Sequence, residues 1–192
     1  VQQAFVEFGY HDGIVFGHAK DGNIHFIMNQ SFEEQRDVDR YSAFMDRIVT
    51  IVIDRYQGSL KAEHGTGRNM APFVAHEWGI GAYAMMKRVK ALLDPHDILN
   101  RGVLINEDHS VHTSNLKPFP AFSGEQEQQT NLCIECGFCE SVCPSHNLTT
   151  SPRRRIVARR SLKRLQRNGS QQEYEQLLKE YQYHALDTCA VD

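Results

Sequence analysis

Apolar residues keep two rhythms along the first hundred positions. "IVFGHAKDGNIHFIM", residues 14–28, holds two short apolar runs around Ala19-Lys20-Asp21-Gly22-Asn23. Asp-Gly between such runs predicts a β-hairpin. The spacing then lengthens. Tyr41, Phe44, Met45, Ile48 and Val52 recur at helical intervals behind a Ser31/Glu34 capping box, and Gly58 closes the helix. "SLKAEHGTG", from Ser59, reads as a short strand entering a glycine loop. A further helix carries Trp78, Ala82, Met85, Val89 and Leu92 on one stripe predicted to be buried, and ends near Asp94-Pro95. "DILNRGVLIN" completes this apolar unit.

Residues 1–106 therefore predict an α+β unit, with an antiparallel sheet against helices. The pattern fails over 107–124, which is polar and broken by prolines, and reads as a linker. From 125 to 192 the expected structure is helical. Ser151-Pro152 suits an N-cap and first helical position, the helix runs to about Arg167, Asn168-Gly169 breaks it, and another helix covers 170–184. Internal repeats are absent.

Composition narrows the class. The 192 residues are 41% apolar with a net charge of −3, and no apolar run approaches the roughly 18 residues a membrane span needs. The first residues lack the pattern of a signal peptide, so a reducing cytoplasm is the expected location. A Val start running straight into patterned sequence reads as a piece of a longer chain.

Four of the five cysteines fall within "NLCIECGFCESVCP". Cys133, Cys136, Cys139 and Cys143, followed by Pro144, match C-x₂-C-x₂-C-x₃-C-P, the bacterial ferredoxin run that binds a [4Fe–4S] cluster. A structural zinc is the alternative, although zinc draws its ligands more often from two separated knuckles. In two-cluster ferredoxins the fourth cysteine of the run serves the other cluster. Cys189 then opens a second motif; otherwise it is a lone buried thiol.

The helix after this run carries Arg153, Arg154, Arg155, Arg159, Arg160, Lys163, Arg164 and Arg167, interleaved with Ile156, Val157, Leu162 and Leu165. This pattern reads as a solvated face over a thin buried stripe. It also suits a surface that docks a membrane or an acidic partner while offsetting a negative cluster. Nucleic acid is excluded by the negative net charge and the lack of a reading motif.

His18 and His25 flank the hairpin turn, so both imidazoles can share one face, and Glu63-His64 enters the Gly65-Thr66-Gly67 loop. Two histidines and a carboxylate make up a catalytic divalent-metal set, and a histidine pair on a hairpin is also an ordinary structural feature.

"GHAKDGNIHF", "AEHGTGRNM" and "DPHDILNRG" resemble three motifs of the C-terminal domain of FAD-linked 2-hydroxy-acid dehydrogenases of the vanillyl-alcohol-oxidase type. That family includes the D-lactate, D-2-hydroxyglutarate and glycolate dehydrogenases. The segment behind is similar to the iron–sulfur module of its long bacterial members, so the resemblance spans nearly the whole chain. It implies a metal site of His18, His25 and Glu63, holding zinc or manganese, with His64 as the active-site histidine. It places Asn100 toward the flavin, although Arg101 stands where the family has proline, and Phe26-Ile27 where it often has a polar residue. The chemistry implied is oxidation of a D-2-hydroxy acid by hydride transfer to FAD. Electrons then leave through [4Fe–4S] clusters to a quinone or another carrier. The FAD-binding domain and the arginines that clamp the substrate are expected before Val1, and completion of the second cluster after Asp192. The chain alone is expected to be inactive, and a peripheral membrane contact would use the 153–167 helix. One rival is a non-catalytic iron–sulfur module docking to a flavoprotein; another is a zinc-stapled interaction domain.

Overall fold

The computed structural model describes residues 1–189. The chain divides into two compact units between Lys117 and Pro118.

In the first unit, helix α1 (Gln2–Glu7) precedes a hairpin of β1 (Ile14–Phe16) and β2 (His25–Ile27). The strands are antiparallel, with Ile14 opposite Ile27, Val15 opposite Phe26 and Phe16 opposite His25. Helix α2 (Gln35–Val49) continues through a π-helical turn, Thr50–Arg55. The fold class is α+β, as the sequence predicts.

The core forms around Phe44, which is fully buried. Phe5 stacks on it at 5.6 Å, and Phe8, Tyr10 and Phe26 meet it edge-on at 5.7, 5.0 and 5.7 Å. Edge-on and offset rings set the negative face of one π-system against the positive rim of another. Tyr41, Met45, Ile48 and Val49 line the same side of α2, as its periodicity predicts. Phe26 delivers β2 to this core, so the adjacent His25 must face the other way.

Three expectations change. α2 begins at Gln35, and Glu34 occupies the N-cap without a side-chain cap, so Ser31 and Glu34 form no capping box. Glu34 instead pairs with Arg36 at 2.8 Å, which uses the carboxylate a box requires.

Residues 59–66 form no strand. The Glu77 carboxylate accepts from the Ser59 hydroxyl at 2.6 Å and from the Leu60 N–H at 3.2 Å, so this backbone is held by a helix side chain rather than a ladder.

The third concerns α4. Helix α3 (Gly67–Met70) leads through a 3₁₀ turn into α4 (Val74–Leu93). Trp78, Ala82, Met85, Val89 and Leu92 are exposed there rather than buried. Gly79 has φ 79° inside α4, which breaks the helix directly after Trp78, and no described element covers the remaining stripe. α4 does end at Leu93. Asp94 accepts from the Ile98 and Leu99 N–H groups at 2.9 and 2.8 Å and pairs with Lys90, which holds its carboxyl down at about 2.

In the second unit, a 3₁₀ helix (Glu125–Leu132) leads into the cysteine run. α5 (Pro152–Arg167) follows, N-capped by Ser151, whose hydroxyl accepts from Arg154 N–H at 3.4 Å. Gly169 turns the chain at φ 70°, and α6 (Gln171–Tyr181) packs back on α5 and ends in a π-helical turn, Gln182–Asp187.

Among the cations of α5, Arg160 is buried and the others are half-buried or exposed. Arg153, Arg155, Arg159, Arg160 and Lys163 all bind within this unit, while Arg154 and Arg164 are exposed. The side chains of Arg153 and Arg159 stay 37% and 43% exposed, so the face is part solvated and part bound within the unit. Among the described residues no helix is long and apolar enough to cross a membrane.

Candidate active site and cysteine loop

Glu63 is where the hairpin and the glycine loop meet. Its Oε1 lies 3.4 Å from His18 Nε2, 3.3 Å from His25 Nε2 and 3.1 Å from His64 Nε2. One ligand atom from each of His18, His25 and Glu63 falls within a 4.8 Å span. The rings of His18 and His64 stand edge-on to His25 at 5.4 and 5.9 Å. Three imidazoles thus converge on one carboxylate oxygen.

The electrostatics suit that grouping. Glu63's own backbone N–H, and then the imidazoles of His25, His64 and His18, hold its carboxyl below the usual carboxylate range. His25 Nε2 is buried and has no hydrogen-bond partner, despite its 3.3 Å approach to Glu63. Such an orphaned nitrogen is costly unless something else takes its lone pair. Neutral imidazole nitrogens and a carboxylate are the donors a divalent zinc or manganese ion takes, so these residues fit the metal. His18 and His64 are exposed, which leaves the site open on one side.

Two residues that build the site were not singled out in the sequence. Asn23 donates to Glu63 Oε2 at 2.9 Å and accepts from the His18 N–H at 2.9 Å, fixing carboxylate and hairpin together. An asparagine after Asp-Gly reads as turn chemistry, which masks this role. Gly17 lets the hairpin arms close, because a Cβ there would lie 2.1 Å from the Asn23 carbonyl oxygen. Gly17→Ala is therefore expected to displace Asn23, weaken metal affinity about 10–100-fold and cost about 1–3 kcal/mol. Metal titration and thermal unfolding of the full-length protein check both effects, and unchanged affinity would show that the arms can spread without moving Glu63.

Asn100 is not among the groups gathered at Glu63. It lies at φ 45° in the loop after α4, lining a cleft of about 990 Å³ with Met85, Val89 and Leu104. Arg68, just past the glycine loop, donates to the Arg101 carbonyl at 3.2 Å and ties the two loops together.

Residues 1–104, more than half of the chain, match the family described as FAD linked oxidases, C-terminal domain. The chain belongs to the FAD-linked oxidase family. Residues 122–190 match a 4Fe-4S dicluster domain. The mitochondrial D-lactate dehydrogenase [cytochrome] of Arabidopsis thaliana is 39% identical over 94 residues, covering 47% of this chain and 16% of that protein. D-2-hydroxyglutarate dehydrogenase of Stutzerimonas stutzeri is 33% identical over 90 residues, 45% of this chain and 19% of the relative. Glycolate oxidase subunit GlcD of Bacillus subtilis is 31% identical over 93 residues, 48% of this chain and 18% of the relative. The chain thus spans less than a quarter of the length of these relatives. No solved structure matches it.

In the dicluster segment, Cys133 and Cys143 are half-buried and Cys136 and Cys139 exposed, all as free thiols. Among the described residues, His18, His25 and Glu63 are the one group of three or more drawn to single-ion spacing. The loop turns left-handed at Glu135 (φ 62°) and Gly137 (φ 85°), on either side of Cys136. Alternating backbone hand of this kind wraps a short loop around an anionic group. Cys189 lies where the chain returns: the neighbouring Thr188 carbonyl accepts from the Thr149 hydroxyl at 3.3 Å, shortly after Cys143.

Proposed function

We propose that this chain carries the metal site and first cluster ligands of a dehydrogenase that oxidises a D-2-hydroxy acid, D-lactate or D-2-hydroxyglutarate. Electrons pass to FAD, then through [4Fe–4S] clusters to a quinone or another carrier. The observation that carries this reading is the convergence of His18, His25 and His64 on one oxygen of Glu63, with His25 Nε2 buried and unpartnered.

His18, His25 and Glu63 would hold the ion, and Asn23 keeps the Glu63 carboxylate turned toward the imidazoles. Bound zinc or manganese supplies Lewis-acid chemistry that lowers the pKa of the substrate hydroxyl, and FAD supplies the hydride acceptor. His64, exposed beside Glu63, would accept the hydroxyl proton at Nε2 as the α-hydrogen leaves. The open face at His18 and His64 admits a small polar acid. Cys133, Cys136 and Cys139 would hold one cluster, and Cys143 and Cys189 would contribute to the second.

The test uses full-length protein. Turnover of D-lactate and of D-2-hydroxyglutarate is measured before chelation, after it, and after zinc or manganese is restored. Loss and recovery of turnover on one of the two acids is the expected result. Full turnover by metal-free enzyme would remove the metal from the mechanism, and no turnover of either acid would overturn the substrate class.

A further inference from the structure

The cysteine run interleaves its ligands with two glutamates, Glu135 between Cys133 and Cys136, and Glu140 between Cys139 and Cys143. An oxidised or reduced [4Fe–4S] cluster with thiolate ligands is anionic, so carboxylates spaced among those ligands oppose its further reduction. Each glutamate takes an arginine from α5. Arg160 Nη1 donates to Glu135 Oε1 at 3.0 Å, and Arg153 Nε donates to Glu140 Oε1 at 2.9 Å. The two arginines are seven residues apart, two turns of one helix face.

The Arg160 pair is not a surface ion pair. The Arg160 side chain is 6% exposed and that of Glu135 13%, and a pair so far out of water persists only with good geometry and further hydrogen bonds. Arg160 has them. Its Nη2 donates to the Cys133 carbonyl at 2.8 Å and to the Thr130 carbonyl at 3.2 Å, and the guanidinium lies 4.8 Å over the Phe119 ring. Its Nε is buried without a hydrogen-bond partner. Glu135 meanwhile holds a left-handed φ that a non-glycine residue adopts at a cost. One guanidinium therefore fixes the carbonyl of the first cysteine and the strained residue before the second.

We propose that Arg160, with Arg153 one heptad before it, is a positioning and charge-compensating residue for the iron–sulfur site, fixing the Cys133–Cys136 loop for ligation and neutralising the carboxylates between its thiolates. This deepens the cluster reading and rests on it. Lysine cannot replace the arginine fully, because a single ammonium cannot span a carboxylate and two carbonyls with a planar fork. The role predicts that charge and geometry separate in variants.

The experiment reconstitutes full-length protein anaerobically, as wild type, Arg160→Gln, Arg160→Lys, Glu135→Gln and the Arg160→Gln/Glu135→Gln double variant. Iron and sulfide content and cluster absorbance of the wild type come first, and their absence would overturn the cluster reading itself. With a wild-type cluster present, the readouts are its midpoint potential and the rate of iron loss to a chelator. Arg160→Gln is expected to make reduction about tenfold less favourable, about 59 mV for one electron. Glu135→Gln shifts the potential the opposite way, and the double variant returns toward wild type. Arg160→Lys keeps a near-wild-type potential but loses iron about tenfold faster, because the loop is no longer held. Should Arg160→Gln fail to fold, Glu135→Gln and Arg160→Lys decide the matter. Unchanged potential in Glu135→Gln, or a double variant that stays at the Arg160→Gln value, would overturn charge compensation. Unchanged iron loss in Arg160→Lys would overturn the positioning role.

Discussion

His64→Asn in the full-length enzyme is expected to lower kcat by about 10²–10⁴-fold while bound metal stays in place. His64 Nε2 approaches the same Glu63 oxygen as the other two imidazoles, at 3.1 Å, yet the His64 side chain is 79% exposed while that of His25 is 22% exposed. A histidine so open to solvent can meet a substrate proton, whereas His25 is held to its neighbours. Asparagine keeps a polar group of similar reach and removes the basic nitrogen. The contrast is His25→Ala with Glu63→Ala, which is expected to remove metal and turnover together, because two of the three ligands are gone. Metal content and single-turnover flavin reduction distinguish the two cases. If His64→Asn keeps more than about a tenth of wild-type kcat, His64 is not the base. If the double variant turns over at the wild-type rate, the metal has no part in the step.

Phe44→Ala is expected to cost about 3–5 kcal/mol, the range for deleting a buried phenylalanine side chain. Four aromatic rings lie within 5.0 to 5.7 Å of Phe44, so the void is lined on several sides and cannot close by the movement of one neighbour. The loss should appear as a lower urea midpoint with an unchanged slope. It should also reach the His18/His25/Glu63 group, because Phe26 rests on Phe44 and His25 is the adjacent residue on β2. Phe44→Leu keeps most of the volume and is expected to cost less while retaining metal. A Phe44→Ala protein with wild-type midpoint would show that the ring cluster is not the stabilising centre of this unit.

How much of this was legible in the sequence depends on the reach of each signal. The hairpin and the buried face of α2 rest on local turn chemistry and short-period patterning, and both stand where Asp21-Gly22 and the Tyr41–Ile48 spacing put them. The start and stop of α5 followed from Ser151-Pro152 and Asn168-Gly169 for the same reason. The expected strand at 59–66 failed because the backbone partner is a side chain of α4, seventeen residues beyond Leu60, which no local pattern reveals. The stripe on α4 was legible as a stripe, yet periodicity reports which residues share a face and says nothing of whether an element covers it.

The site divides along the same line. His18, His25, Glu63 and His64 could be nominated by residue type and family motif, and the structure brings them together. Asn23 could not, and Arg160 stands out only as one of eight cations on a helix read as offsetting a negative cluster, with nothing to mark its hold on Glu135 and the Cys133 carbonyl. Each acts by reaching a distant segment, and their local settings, a turn and a basic helix, already account for them.

The alternation on β2 sets a rule for how this hairpin can drift over time. Phe26 anchors one side of the strand and His25 supplies the other, while Phe16 fixes the pairing from across the ladder. Residues in the connecting turn can be exchanged for others of similar conformation. An insertion or deletion absorbed by sliding β2 one step would present phenylalanine to the imidazoles and histidine to the ring cluster. Hairpins of this lineage should therefore tolerate substitutions at Ala19, Lys20 and Asp21 far better than odd changes in length, and parity of loop length becomes a mark of a hairpin that keeps His25 beside Glu63.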